Sequence, residues 1–331
     1  MVSAGIIKTE WVKEKLKKYG IVVVLFLMIV GLTLAEPNFI RRTNIFNILT
    51  QASIFGIMAL GLTFVIISKG IDLSVGSILA FAGVVAASLA QSPLATNKYY
   101  PNLGELPLLI PILVALLIGL SCGAVSGFFI AKTKIPAFIA TLGMMTIARG
   151  FALIYTNGRP ISNLESMTVI GGRVFGVIPI PILVYAGAIV LSWVLLNNTK
   201  FGKNVYAIGG NATAAEVSGV DVDKNLIMIY AYSGLMAGLA AVVFAGRVGS
   251  VHPGAAQMYE LTAIAATTIG GTSHSGGIGT IWGAFVGALV LAVMRNGFTL
   301  LGIDAYWQQV TEGAIIIVAV IIDMRKNARK D

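Results

Sequence analysis

Residues Asn198 to Lys224 read NTKFGKNVYAIGGNATAAEVSGVDVDK, the longest polar interval with structure-forming signals in an otherwise apolar chain. Apolar runs flank it on both sides, so it leaves the membrane those runs imply, and Lys200, Lys203 and Lys224 favour the cytoplasmic side. Gly209 and Gly210 permit backbone angles that break a helix, Asn211 can cap the next one, and Ala212 to Val217 are mostly good helix formers. The expected local structure is turn, short helix, turn, with Gly219 as the C-terminal stop. Such an interval serves either as a docking surface for a partner or as a solvated connector.

Apolar residues make up 57% and charged residues 11% of the 331, against roughly 45–50% and 25% in an average soluble domain. Apolar runs near the roughly 20 residues needed to cross a bilayer recur along the chain. The chain therefore reads as an all-α polytopic membrane protein with one transmembrane domain, residues 20–323, and the loop 198–224 as its largest cytoplasmic excursion. A formal charge of +9 would suit nucleic acid if it lay on a soluble face. Here the basic residues sit singly or in small groups between apolar runs, and nucleic acid is excluded as a partner. Cys122 is the only cysteine, and His252 and His274 are the only histidines. No metal site and no cofactor bound by this chain are expected.

Residues 1–19 carry Lys8, Lys13, Lys15, Lys17 and Lys18 ahead of the apolar run Ile21 to Leu34, a start held in the cytoplasm. The same pattern followed by Thr33-Leu34-Ala35 could mark a cleaved signal, but the many runs that follow favour a first span that stays attached. Further spans are expected at Asn44 to Ser68, Val75 to Ala90, Leu108 to Ala131, Phe138 to Tyr155, Ile180 to Leu196, Leu226 to Ala245, Ile281 to Met294 and Gln309 to Ile322. Gln91 to Pro107 and Thr156 to Pro179 read as polar loops. The tail 324–331 is basic through Arg325, Lys326, Arg329 and Lys330.

Leu261 to Gly271 settles the parity. If it crosses, there are about ten transmembrane helices, one of them short or broken, with both termini cytoplasmic. Of the 23 lysines and arginines, 15 then lie inside. If it does not cross, the basic tail lies outside, against the positive-inside rule. A short, glycine-broken span is tolerable only where neighbouring helices shield its backbone, which places it near a pathway.

Asn47 and Gln51 share a helix face at i, i+4 spacing, Ser53 adds a third polar group, and Thr267 and Thr268 lie in the short run. These groups are costly against lipid and are candidates for the lining of a pathway. Asp72 and Ser74, in SKGIDLSVGS, join them as candidates, although a helix cap at the membrane surface is the favoured reading of Asp72. Gly76, Gly83, Gly143, Gly234, Gly238, Gly283 and Gly287 would permit close helix approach. TSHSGGIG, residues 272–279, lacks the Lys-Ser or Lys-Thr pair of a phosphate loop, and no GxxxxGK[ST] occurs anywhere. Arg149, Glu260, Arg295 and Glu312 are the ionisable residues that an ion-coupled secondary transporter would use. Each lies toward a span end, which suits anchoring or structural ion pairing.

GIDLSVGSILAFAGVVAASL (Gly70 to Leu89), PAFIATLGMM (Pro136 to Met145), FGKNVYAIGGNATAAEVSGV (Phe201 to Val220) and the glycine segment after YELTAIA (Tyr259 to Ala265) closely resemble permeases of bacterial monosaccharide ABC importers. The ribose and galactose types are nearest, and the resemblance runs from about Lys18 to the tail. It implies a non-catalytic permease of the bacterial inner membrane that works as a homodimer. An extracytoplasmic sugar-binding protein would deliver substrate, and a separate cytoplasmic ATPase would use ATP and Mg. Asn211 to Gly219 resembles the coupling element that meets the ATPase, with Ala214, Ala215 and Gly219 in matching places. Glu216 follows the alanine pair, whereas the general pattern has a glutamate before it. Gly209 and Gly210 lead into this element. The alternative function is an ion-coupled secondary sugar transporter.

Overall fold

The computed structural model describes residues 20–327. The basic head 1–19 and the last four residues of the basic tail, expected to be cytoplasmic, lie outside the described residues. The chain folds as a bundle of helices: α1 (Gly20–Ala35), α2 (Arg42–Ile67), α3 (Val75–Leu89), α4 (Leu109–Thr133), α5 (Ala137–Thr156), α6 (Glu165–Gly171), α7 (Ile180–Asn198), α8 (Lys200–Gly210), α9 (Ala212–Val217), α10 (Val222–Val248), α11 (Tyr259–Ile269), α12 (Ile281–Leu300) and α13 (Ala305–Asn327). Among the described residues seven helices, α2, α4, α5, α7, α10, α12 and α13, are long and apolar enough to cross a membrane. α1 and α3 are apolar but shorter, and α11 has 11 residues.

α2 is apolar all round and buried along most of its length, the signature of a helix surrounded by others. α4, α5, α7 and α13 instead turn most of their apolar side chains outward, as helices facing lipid do. The most extensive helix contact is between α4 and α10. Gly119, Gly123 and Gly127, one turn apart on α4, face Gly234, Gly238 and the backbone from Ile227 to Tyr230 on α10. A Cβ at Gly123 would overlap the Tyr230 carbonyl oxygen, so only small residues allow this crossing. Gly270 against Gly283, and Ala266 against Gly287, join α11 to α12 in the same way. Six of the seven glycines expected to permit close approach do lie against neighbours. Gly143 is the correction, for nothing stands within 4 Å of the place its Cβ would occupy.

Non-helical chain precedes each of the short helices α3 and α11. Residues 249–258 run antiparallel to α3, with Val251 against Gly83 and with Ala256 and Glu260 against Gly76. Non-helical backbone inside an apolar bundle must find hydrogen-bond partners away from water. β4 (Ser250–Val251) pairs with β1 (Ile161–Ser162), and the Arg149 guanidinium on α5 donates to the carbonyls of Pro253 (2.6 Å) and Ala255 (2.9 Å). The loop after α5, expected to be only polar, also holds α6 and the pair β2 (Arg173–Val174) with β3 (Ile178–Pro179).

Candidate functional site

The interval 198–224 is more ordered than its polarity suggests. Phe201, Val205 and Ile208 recur at helical spacing, and α8 forms with Gly202, Val205, Ile208 and Gly209 buried. Thr199 caps it by accepting from the Gly202 N–H at 3.2 Å. Gly209 and Gly210 do not break the helix. They complete it, and the break falls at Asn211, whose φ is −157°. Asn211 then caps α9 as expected, its side-chain oxygen accepting from the Ala214 N–H at 3.0 Å.

α9 ends in a Schellman stop. The Gly219 N–H donates to the Glu216 carbonyl (2.9 Å) and the Val220 N–H to the Ala215 carbonyl (3.0 Å), with Gly219 at φ +87°. Capped at both ends, this six-residue helix projects Ala212, Thr213, Ala214, Glu216 and Val217 outward. Val217 is 85% exposed, whereas Ala215 is only 5% exposed and points back into its own chain. A cavity of about 370 Å³ lies beside α9, lined by Asn204, Ser218, Asp221, Lys224 and Asn225.

The segments expected on one side of the membrane gather at this end of the bundle. Lys132 and Lys134 pair with Asp223 at 3.1 Å and 2.5 Å, tying the α4–α5 turn to the start of α10. The Lys69 ammonium reaches the Gly210 carbonyl at 3.5 Å. The Gly277 N–H donates to the Ile67 carbonyl at 2.8 Å. In the α11–α12 loop the half-buried His274 imidazole sits 2.9 Å from the Thr268 hydroxyl, and the His274 backbone N–H donates to Asp323 at 3.0 Å.

The pathway candidates separate into distinct settings. Asp72 is fully buried, not a surface cap: its carboxylate accepts from the Ser74 N–H (2.9 Å), the Ser74 hydroxyl (2.5 Å) and the Ser233 hydroxyl of α10 (2.8 Å). The first of these bonds secures the turn into α3, so the capping role holds while the location differs. Ser53, Thr267 and Thr268 are buried and donate to carbonyls of their own helices at 2.7–2.8 Å. Asn47 is exposed on α2 and Gln51 half-buried one turn on.

Tertiary structure also assembles groups that the sequence left scattered. Arg149 and Glu260 lie within electrostatic reach of one another, and Glu260 of Asp72, where α11 begins beside α3. On the other side of α11, Arg295 pairs with Glu312 through two hydrogen bonds, one of 2.7 Å from Nη2, and Nη2 also donates to the Thr262 hydroxyl at 2.7 Å. The Arg295 guanidinium lies 5.3 Å from the Phe55 ring centroid and 5.8 Å from that of Tyr259. All four ionisable groups flagged in the sequence therefore border α11, and structural pairing accounts for Arg295 and Glu312. Ser233 is the site residue that sequence reasoning missed; its one signal is a hydroxyl in the middle of an apolar run.

Comparison with known proteins places this arrangement. The model of the family described as branched-chain amino acid transport system, permease component, matches residues 44–320. The ribose import permease protein RbsC of Escherichia coli strain K12 is 40% identical over 310 residues, 92% of each chain. The galactose/methyl galactoside import permease protein MglC of Salmonella typhimurium is 42% identical over 323 residues, 95% of this chain and 96% of that one. The chain belongs to this import-permease family. The ribose import permease of Bacillus subtilis is 40% identical over 316 residues, 95% of this chain and 94% of its own. No solved structure matches. As a permease component the chain is a transport subunit and not an enzyme, and its apolar helices make it a multi-pass protein of the inner membrane.

Proposed function

We propose that this chain is the transmembrane permease subunit of an ATP-driven sugar importer, working as a homodimer and coupled through α9 to a separate ATPase that uses ATP and Mg. A sugar-binding protein would deliver substrate on the opposite face. The substrate class follows the relatives, which are named as ribose and galactose import permeases. The observation that carries the coupling assignment is Val217, an apolar side chain 85% exposed on a short helix fixed by caps at both ends. A connector has no reason to hold an apolar residue rigidly in water, whereas a docking helix needs one.

The topology proposed with this reading has about ten crossings and both termini in the cytoplasm. Residues 20–323 form the permease domain and 324–331 a basic tail. Support comes from the gathering of Lys69, Lys132, Lys134 and the α8–α9 interval at one end of the bundle. Exposure of Asn47 on the first turns of α2, beside exposed Thr43 and Ile45 and ahead of the buried remainder, suits a pathway completed by a second copy.

Docking is tested by changing the outward face alone. Ala214→Arg and Val217→Lys keep good helix formers and leave the caps intact. Each should insert normally and lose the co-purifying ATPase. Ala215→Arg, by contrast, forces a long cation into the chain's own packing and should lower the permease level even without the ATPase. Normal ATPase recovery and transport with both Ala214→Arg and Val217→Lys would make α9 a connector.

A further inference from the structure

Gly209 and Gly210 are adjacent in sequence and opposite in surroundings. Gly210 is exposed, with nothing within 4 Å of its Cβ position, whereas a Cβ on Gly209 would overlap the Ile67 carbonyl oxygen and stand 2.7 Å from the Gly277 nitrogen. That carbonyl ends α2, where helix geometry leaves acceptors without an intrahelical donor, and the Gly277 N–H fills the vacancy at 2.8 Å. Three backbones therefore meet at one point: the last turn of α8, the end of α2 and the α11–α12 loop. Two more contacts hold the same elements in register. The Tyr206 hydroxyl donates to the Gly279 carbonyl at 2.7 Å, and the Phe201 ring stacks on Phe64 of α2 at 5.8 Å.

The junction is placed between the docking helix and the broken part of the bundle. α8 leads directly into α9 at Asn211. From the other side of the junction, residues 68–74 lead into α3 through Asp72, and α11 ends at Ile269 just before the loop. The near end of α3, at Gly76, meets the far end of α11, at Glu260. Displacement of α8 thus reaches both short helices through this junction. Contact between backbones cannot be absorbed by a rotamer change, and close-packed interfaces shift between discrete arrangements in preference to deforming smoothly.

We infer that this glycine junction transmits the movement of α9 to α2 and the two short helices, and that Gly209 is a positioning residue for coupling because its missing side chain lets α8 seat on the end of α2. This rests on the proposed ATPase coupling and goes beyond it by naming where the motion enters the bundle.

The test uses the full complex of permease, ATPase and binding protein reconstituted in liposomes, with Gly209→Ala, Tyr206→Phe and a control, Ala207→Gln, on the exposed face of the same helix. Gly209→Ala should keep the co-purifying ATPase and its basal hydrolysis but lose stimulation by sugar-loaded binding protein by roughly tenfold or more, within the range of coupling between distant sites. Tyr206→Phe, which keeps the backbone junction and loses one hydrogen bond, should reduce stimulation by a smaller factor of about two to five. Ala207→Gln should match the parent. Full stimulation of a correctly assembled Gly209→Ala complex overturns the inference. If Gly209→Ala fails to assemble, Tyr206→Phe decides, and full stimulation in that variant overturns it equally. Failure of the unsubstituted permease to bind any ATPase would instead refute the coupling assignment itself, which separates the two.

Discussion

Separating Arg295 from Glu312 should destabilise the bundle strongly, and removing both should cost less than removing either. Their side chains are only 15% and 14% exposed. Removing one partner of a buried pair leaves an uncompensated charge and costs about 3–5 kcal/mol. Arg295→Met also forfeits the contacts with the Phe55 and Tyr259 rings, about 0.5–1 kcal/mol each, so its cost should reach about 4–7 kcal/mol. Glu312→Gln keeps an amide oxygen that can still accept from the guanidinium, which places it near the lower end at about 3 kcal/mol. In Arg295→Met with Glu312→Gln no charge is left unpaired; the loss should fall to about 2–3 kcal/mol, mainly the ring contacts and the Thr262 hydrogen bond. Reversible unfolding of the four proteins in mixed micelles gives the cycle directly. A double-variant cost equal to the sum of the two single costs would refute the reasoning, as would a change in the sugar transported with stability unaltered.

Two further outcomes follow from the α9 end of the molecule. Burial holds the His274 imidazole below its ordinary 6.5, against the opposing pull of Asp323. As pH falls the unfolded chain therefore takes up the proton first, so the contribution of His274 is complete above about pH 6.5 and is lost between there and the lower folded value. The drop in thermal midpoint between about pH 7.5 and pH 5.5 should be smaller in His274→Gln than in the parent, and equal drops would remove His274 from the account. Single cysteines at Lys203, Ser275 and Arg325, in a Cys122→Ser background, should all react only with reagent on the cytoplasmic side. Labelling of position 275 from outside would break the parity on which ten crossings depend.

The apolar architecture was legible because crossing a bilayer imposes length and composition, and each expected span coincides with a helix of the bundle. α8 could also have been read, since Phe201, Val205 and Ile208 mark a buried stripe at helical spacing. The glycine pair at its end drew attention to flexibility, and the close contact with Ile67 that explains Gly209 lies far off in sequence. In the sequence Asp72 has the look of a surface cap because Lys69 and Gly70 precede it. It is buried against α10, where the Ser233 hydroxyl, 161 residues away, donates to it, and no local spacing announces that. The inward turn of Ala215 and outward turn of Ala214 likewise depend on how α9 sits on the bundle, which two neighbouring alanines cannot reveal.

The most direct measurement is sugar uptake by proteoliposomes containing the permease alone, or with the ATPase and binding protein, under either ATP or an imposed sodium or proton gradient. Uptake should require all three proteins and ATP, and an ion gradient should drive none through the permease alone. Gradient-driven uptake by the isolated permease, with no response to ATP in the complete system, would contradict the ATP-driven reading and assign the ionisable groups around α11 to ion coupling.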